Sequence, residues 1–143
     1  LHARAETLWT LGRVRTEKGD YQTAQTDLEN ARQMVVEVGD RDDEFQILHD
    51  EARLQIRLGN YERAFALADE SARIAEEIGV GEGIGESLVI KSEALSVLGK
   101  YGEAAENARE AVKLLEEFVS GERWQAHYAL AKALQGLNEK DAE

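Results

Sequence analysis

The fold class this sequence predicts is all-α: a stack of antiparallel helix pairs, or α-solenoid. Three observations predict it. A short turn recurs as Gly19-Asp20-Tyr21 with Ala24, Gly59-Asn60-Tyr61 with Ala64, and Gly99-Lys100-Tyr101 with Ala104. The tyrosines stand 40 residues apart each time, and a fixed period of this size marks stacked repeats. Proline is absent and 32% of residues are charged, in a chain rich in Ala, Leu, Glu and Arg, which is the composition of long helices.

The 143 residues read as one domain, with repeat units 1–40, 41–80 and 81–120 and a partial or capping unit over 121–143. In the first unit, helix A spans Leu1–Lys18, with Leu8, Trp9, Leu11 and Val14 at helical spacing. Gly19 ends it, as glycine does where the backbone turns left-handed. Asp20 then stands where a side-chain oxygen caps the next helix. Helix B carries Tyr21, Ala24, Leu28, Ala31, Val35 and Val38 as one apolar stripe, and Gly39 stops it.

Unit two repeats the plan. Its helix A runs over 42–58 with Phe45, Leu48, Ala52 and Ile56 inward. Gly59 turns the chain and Asn60 caps helix B, which carries Tyr61, Ala64, Ala68, Ser71, Ala75 and Ile78 before Gly79 closes it. The stretch 79–85, with glycine at 79, 81, 83 and 85, reads as a loose link about which the stack flexes. It is a poor phosphate loop, since no strand precedes it and Glu82 and Glu86 would repel a phosphate. Unit three places Leu88, Ser92 and Leu95 inward on helix A, and Tyr101, Ala104, Ala108, Ala111, Leu115 and Phe118 on helix B. A fourth unit begins near Gly121. Trp124, Tyr128, Ala131 and Leu134 make its helix A, and Gly136 reads as a fourth turn.

One helix pair of this size cannot cover its own apolar stripe, whereas stacked pairs share a continuous core. The alanines at 24, 64 and 104 let two backbones approach, and Gly12, Ala52 and Ser92, also 40 apart, occupy the matching place on helix A.

These columns resemble the tetratricopeptide repeat. The resemblance rests on Leu8, Leu11, Gly12, Gly19, Tyr21, Ala24, Leu28 and Ala31 in the first unit. Leu48, Ala52, Gly59, Tyr61, Ala64, Ala68 and Ser71 carry it in the second, and Leu88, Ser92, Gly99, Tyr101, Ala104, Ala108 and Ala111 in the third. It covers essentially the whole chain. The family's period is about 34 residues, and here it is 40. The additional six are expected after the helix B core, lengthening that helix and the link to the next unit. The longer unit is similar to that of kinesin light chains and of bacterial signalling and transcription regulators. HEAT and armadillo stacks share the period but not the Gly-x-Tyr turn with its alanine ladder. The resemblance implies a right-handed superhelix whose A helices line a concave groove.

By that resemblance the groove-facing residues include Glu6, Trp9, Arg13 and Glu17, then Gln46, His49, Arg53, Ile56 and Arg57, then Glu86, Val89, Glu93 and Val97. The expected partner-binding set is Trp9, Arg13, His49, Arg53, Ile56, Arg57, Val89, Glu93 and Val97. Arginine forks recognise carboxylates, and Trp9, Ile56, Val89 and Val97 add apolar anchors. The expected partner is thus a protein or peptide segment, acidic and partly apolar. The competing reading pairs the arginines with Glu6, Glu17, Glu86 and Glu93 in a merely solvated face. The lysine-asparagine clamp of chaperone-binding relatives is absent from these columns.

No catalytic, cofactor or metal site is expected. His2, His49 and His127 share no helix face at ligand spacing, cysteine is absent, and no nucleophile elbow is visible. The acidic run 40–44 lacks EF-hand spacing. A net charge of -12 argues against nucleic acid and anionic membranes as partners. The cysteine-free composition fits a reducing compartment, and a cytoplasmic location is expected. Leu1 in place of Met predicts a chain cut from a longer protein or processed. Two alternatives accompany the scaffold reading: a regulatory or sensory module of a larger signalling protein, and self-association through the C-terminal edge carrying Tyr128, Leu130 and Leu134.

Overall fold

Glycine turns follow five helices of this chain, and those turns set the layout. The computed structural model describes residues 2–118 and 123–142. Among them are seven helices: α1 (His2–Lys18), α2 (Tyr21–Val38), α3 (Arg41–Leu58), α4 (Tyr61–Ile78), α5 (Gly81–Val97), α6 (Tyr101–Leu115) and α7 (Arg123–Ala142). Gly19, Gly39, Gly59, Gly79 and Gly99 all have a left-handed φ, between 74° and 83°. At the first turn the Gly19 N–H donates to the Thr16 carbonyl at 3.1 Å and the Asp20 N–H to the Arg15 carbonyl at 2.9 Å. The same pair of bonds recurs at the other four turns. It satisfies helix-end carbonyls that would otherwise lack donors.

Consecutive helices pair, and the pairs stack in a right-handed superhelix. The A helices α1, α3, α5 and α7 lie side by side in that order, while α2, α4 and α6 each pack against the A helices before and after them. The small columns are where the helices touch. Ala24, Ala52, Ala64, Ser92 and Ala104 are fully buried. A Cβ added at Gly12 would lie 2.7 Å from the Leu28 side chain and 3.4 Å from the Ala24 carbonyl. Ser92 sits in the matching place and donates its hydroxyl to the Ala104 carbonyl at 2.8 Å. Ser71 does the same to the Phe45 carbonyl at 2.7 Å. Buried acids are matched by arginine: Asp27 by Arg15 and Glu51 by Arg32.

Several sequence expectations change. Asp40 caps α3 by accepting from the Asp43 N–H at 3.1 Å, but Asp20 and Asn60 make no side-chain cap. Their ψ angles of 66° and 71° fall short of the extended backbone that aims a cap inward, whereas Asp40 reaches 91°. Asp20 accepts from the Thr23 hydroxyl instead, and Asn60 donates to the Gln55 side chain. The residues beyond a 34-residue period lengthen helices rather than links, since the Gly39-Asp40 and Gly79-Val80 connections are as short as the hairpin turns.

The glycine stretch is not a loose link. Gly81, Gly83 and Gly85 lie in the first turns of α5, where Cβ atoms at 83 and 85 would each meet a neighbour at 2.7 Å, Phe45 and Leu115 respectively. These glycines admit bulky side chains against bare backbone, which offsets their poor helix propensity of about 1 kcal/mol each. Phe118 lies beyond the end of α6, with its ring against Gly81. On α1 the hidden stripe is Ala5, Gly12 and Thr16, whereas Leu11 and Val14 are 38% and 44% exposed. Only α2 and α3 pack on that helix, so one flank stays open.

The last unit departs furthest. Gly136 is no turn: α7 runs through it. The buried face of α7 is Ala126, Ala129, Ala133 and Gly136, so Trp124, Tyr128, Ala131 and Leu134 face outward instead. Small residues lie inward because α7 rests directly on the ring of Tyr101. Leu1 and the expected unit start near Gly121 lie outside the described residues.

Two glycines test this packing in opposite directions. A Cβ at Gly136 would lie 2.2 Å from the Tyr101 ring, whereas one at Gly102 meets nothing within 4 Å. Gly136→Ala is expected to destabilise by about 1–3 kcal/mol through overpacking, which outweighs a propensity gain of up to about 1 kcal/mol. Gly102→Ala is expected to stabilise by about 0.4–1 kcal/mol. Urea-unfolding midpoints measure both. A midpoint for Gly136→Ala at or above that of the parent would contradict the contact.

Candidate functional site

The A helices present one face to the groove, and the groove-facing side chains come from α1, α3, α5 and α7. Three cavities follow one another along this wall. The first, of about 530 Å³, is bordered by Arg13, Glu17, Lys18, Asp50, Arg53 and Arg57. The second, of about 200 Å³, is bordered by His49, Arg53, Ile56, Val89, Glu93 and Gln125 among others. The third, of about 580 Å³, includes Ile56, Tyr61, Val97, Tyr101, Tyr128 and Lys132. Every residue of the expected partner-binding set thus borders a cavity, Trp9 in one of about 190 Å³ beside Arg13 and His49.

Their roles differ. Arg13, Arg53, Arg57 and Val97 are exposed, while Val89 is 5% exposed and belongs to the core around Ala126 and Ala129. Val89 is therefore floor rather than anchor. Trp9 is half-buried and tied in place: its indole N–H donates to Asp50 Oδ2 at 2.7 Å. Arg13 Nε lies 3.6 Å from the same oxygen. Arg57 pairs with Glu17 at 3.0 Å across the repeat. Part of the wall is thus internally paired, as the competing reading expected: Glu17 belongs to that reading, and Asp50 is an acid it did not include.

Asp50 went unseen in the sequence, as did the α7 stripe Gln125, Tyr128, Lys132, Gln135 and Glu139. Asp50 sits one residue from His49 on a helix whose groove face was already assigned, so its position was legible. The α7 stripe has helical spacing, but placing a turn at Gly136 broke it. Burial pushes the Asp50 carboxyl up from its ordinary range, against the Trp9 hydrogen bond and the charges of Arg13 and Arg53. Burial also raises Glu93, with Arg53 and Lys132 opposing.

His2, Asp40 and Asp43 place one ligand atom each within 4.8 Å of one another at the start of α3. Asp40 is engaged in the helix cap, and His2, 60% exposed, stands 3.4 Å from Glu6 and 4.0 Å from Asp40. A helix cap with an adjacent histidine–carboxylate contact accounts for this group. No described helix is long and apolar enough to cross a membrane.

A family model described as tetratricopeptide repeat matches residues 3–77. Among solved structures, this chain is similar to the nearly identical TPR-like repeats of a Podosopora anserina kinesin light chain. The TM-score is 0.80 at 19% identity, over 96% of this chain and 69% of that one. A single-site variant of that protein matches with a TM-score of 0.43 at 17% identity, over 99% of this chain and 90% of that one, which bears on nothing further. No curated protein matches the sequence.

His49 gives the wall a pH response. Burial, then the charges of Arg53 and Arg13, lowers its pKa from 6.5 to about 4. Between those values the unfolded chain holds a proton that the folded chain refuses, so stability falls as pH falls. Asp50 and Glu93 act oppositely, because their raised carboxyls take up protons in the folded state first. Comparison with His49→Gln isolates the imidazole. From pH 7 to 4 the parent is expected to lose on the order of 2–3 kcal/mol more than the variant, as measured by urea unfolding at each pH. Equal losses would show that the imidazole titrates freely.

Proposed function

The chain belongs to the tetratricopeptide repeat family, and from that premise we propose that it is a non-catalytic scaffold holding an acidic partner segment in the groove along α1, α3, α5 and α7. Repeats of this family generally mediate protein–protein interaction, and scaffolds built from them are typically non-catalytic. The observation that carries the finer reading is the basic cavity bordered by Arg13, Lys18, Arg53 and Arg57, in a chain whose net charge is -12. Two carboxylates border it as well, Glu17 and Asp50. Asp50 is occupied by Trp9 and Arg13. Glu17 is 72% exposed in its pair with Arg57, and exposed pairs contribute only about 0–1 kcal/mol. A partner carboxylate therefore displaces Glu17 at little cost and keeps the arginine fork engaged. The overall negative charge acts over longer range, where salt screens it beyond about 8 Å. Contact recognition in the groove outweighs it.

Selection from a random displayed-peptide library tests this directly. The parent protein is expected to enrich Asp- and Glu-bearing peptides. Arg53→Glu with Arg57→Glu is expected to weaken their binding at least about tenfold in a protein that still unfolds in one cooperative urea transition. Undiminished affinity in the double variant would remove the groove from the account.

A second reading, self-association, is favoured by one observation. Trp124 is 64% exposed and Leu134 41% exposed on α7, and apolar side chains left open at the end of a stack invite a second copy to cover them. Light scattering over a concentration series is expected to show dimers that Trp124→Ser with Leu134→Ser abolishes. A strict monomer at high concentration contradicts it.

A further inference from the structure

We propose that the small cavity between α3, α5 and α7 is an anchor subsite for a side-chain carboxamide, an asparagine or glutamine of the partner segment. The proposal rests on the groove reading above and adds the chemistry of one position. Two polar atoms carry it. His49 Nδ1 on α3 and Gln125 Oε1 on α7 are both buried with no hydrogen-bond partner, and both residues border this cavity of about 200 Å³. No Cα of α3 lies within 8 Å of a Cα of α7; α5 lies between them and packs on both. A buried polar group left unpaired forfeits the hydrogen bond it makes to water in the unfolded chain, so an occupant that pairs with both is favoured over an apolar one.

The lining selects among polar occupants. A carboxylate brings no proton for Gln125 Oε1. Arg53 and Arg57 border the cavity together with Glu86 and Glu93, so its charges favour neither sign, and an ammonium or guanidinium brings donors but no acceptor for the imidazole tautomer with Nδ1–H. A hydroxyl has a single donor for two sites. A carboxamide carries two N–H donors and one acceptor oxygen. It therefore pairs with the imidazole in either tautomer and with the Gln125 amide in either orientation. The depressed pKa of His49, about 4, keeps the ring neutral near pH 7, so both tautomers are open to it. Arg53 and Arg57 border both this cavity and the basic one. One segment can then place its carboxylates on the arginines and its carboxamide in the adjoining recess. Ordered water is the competing occupant, since the recess is roomy enough and polar.

Nitrogen chemical shifts of the His49 ring report occupancy without knowledge of the partner. Propionamide is expected to move the His49 Nδ1 resonance saturably in the millimolar range, with propionate, n-butylamine and propanol each at least about tenfold weaker. Gln125→Met, or His49→Phe read from neighbouring amides should the first variant not fold, is expected to abolish the response. Equal responses to all four probes, or a propionamide response unchanged in the variant, would mean that the recess holds water only and would overturn the subsite. The peptide selection separates this from the groove reading. Acidic peptides with an asparagine or glutamine at fixed spacing in the parent, and without that preference in Gln125→Met, support both. Acidic peptides lacking any such position overturn the subsite and leave the groove. A propionamide response with no acidic enrichment overturns the groove and leaves the subsite.

Discussion

A left-handed residue after each of the first five helices is the constraint on which this molecule depends. Glycine occupies that position at 19, 39, 59, 79 and 99, each with a positive φ. An L side chain there would be strained, and without that turn the paired N–H to carbonyl bonds that close each helix cannot form. Because these turns fall every 20 residues, each helix with its turn has one length, and the columns 40 apart come into register. The small-residue contacts follow from that register. Gly12 against Leu28 and Ser92 against Ala104 are close approaches that a helix one residue longer would rotate by about 100° out of contact.

Most of the fold was legible because this constraint is written in single residues. A period of 40 with glycine, tyrosine and alanine at fixed offsets leaves few architectures. What misled was glycine used for a different purpose. At 83, 85 and 136 it lies inside a helix and makes room for Phe45, Leu115 and Tyr101. Composition cannot distinguish a glycine that bends the chain from one that lets a neighbour approach, because the difference lies in what stands opposite in space. The same blindness hid which face of α7 turns inward. Nothing in α7 itself says that alanines, not aromatics, face Tyr101 and Leu115.

The candidate site was legible as a face but not as a set of partnerships. Helical spacing placed Arg13, Arg53 and Arg57 on one wall. It could not show that Asp50 binds Trp9 and Arg13, or that Gln125 joins His49 at one recess, since these pairs bridge different helices at separations unrelated to the repeat. Electrostatics makes those partnerships matter. The carboxyls of Asp50 and Glu93 are pushed up and the imidazole of His49 down by the same cause, removal from water. The middle of the groove is therefore the least solvated part of a wall that is otherwise open.

This arrangement separates the residues that hold the stack from those that meet a partner. Across the three repeats the turn glycine, the tyrosine and the alanine that follow are unchanged in place. The groove columns vary, with Arg13 and Arg53 the one step that keeps its residue: Trp9, His49, Val89; Arg13, Arg53, Glu93; Glu17, Arg57, Val97. The energetic scales differ accordingly. Enlarging a packed column residue costs about 1–3 kcal/mol, a large share of a marginal stability, whereas exposed substitutions away from such contacts shift stability by about 0.5 kcal/mol or less. A repeat protein can thus alter what its groove recognises, residue by residue, without disturbing the register that keeps the groove in place. Val89 marks the limit of that freedom, because it borders the groove and packs in the core at once.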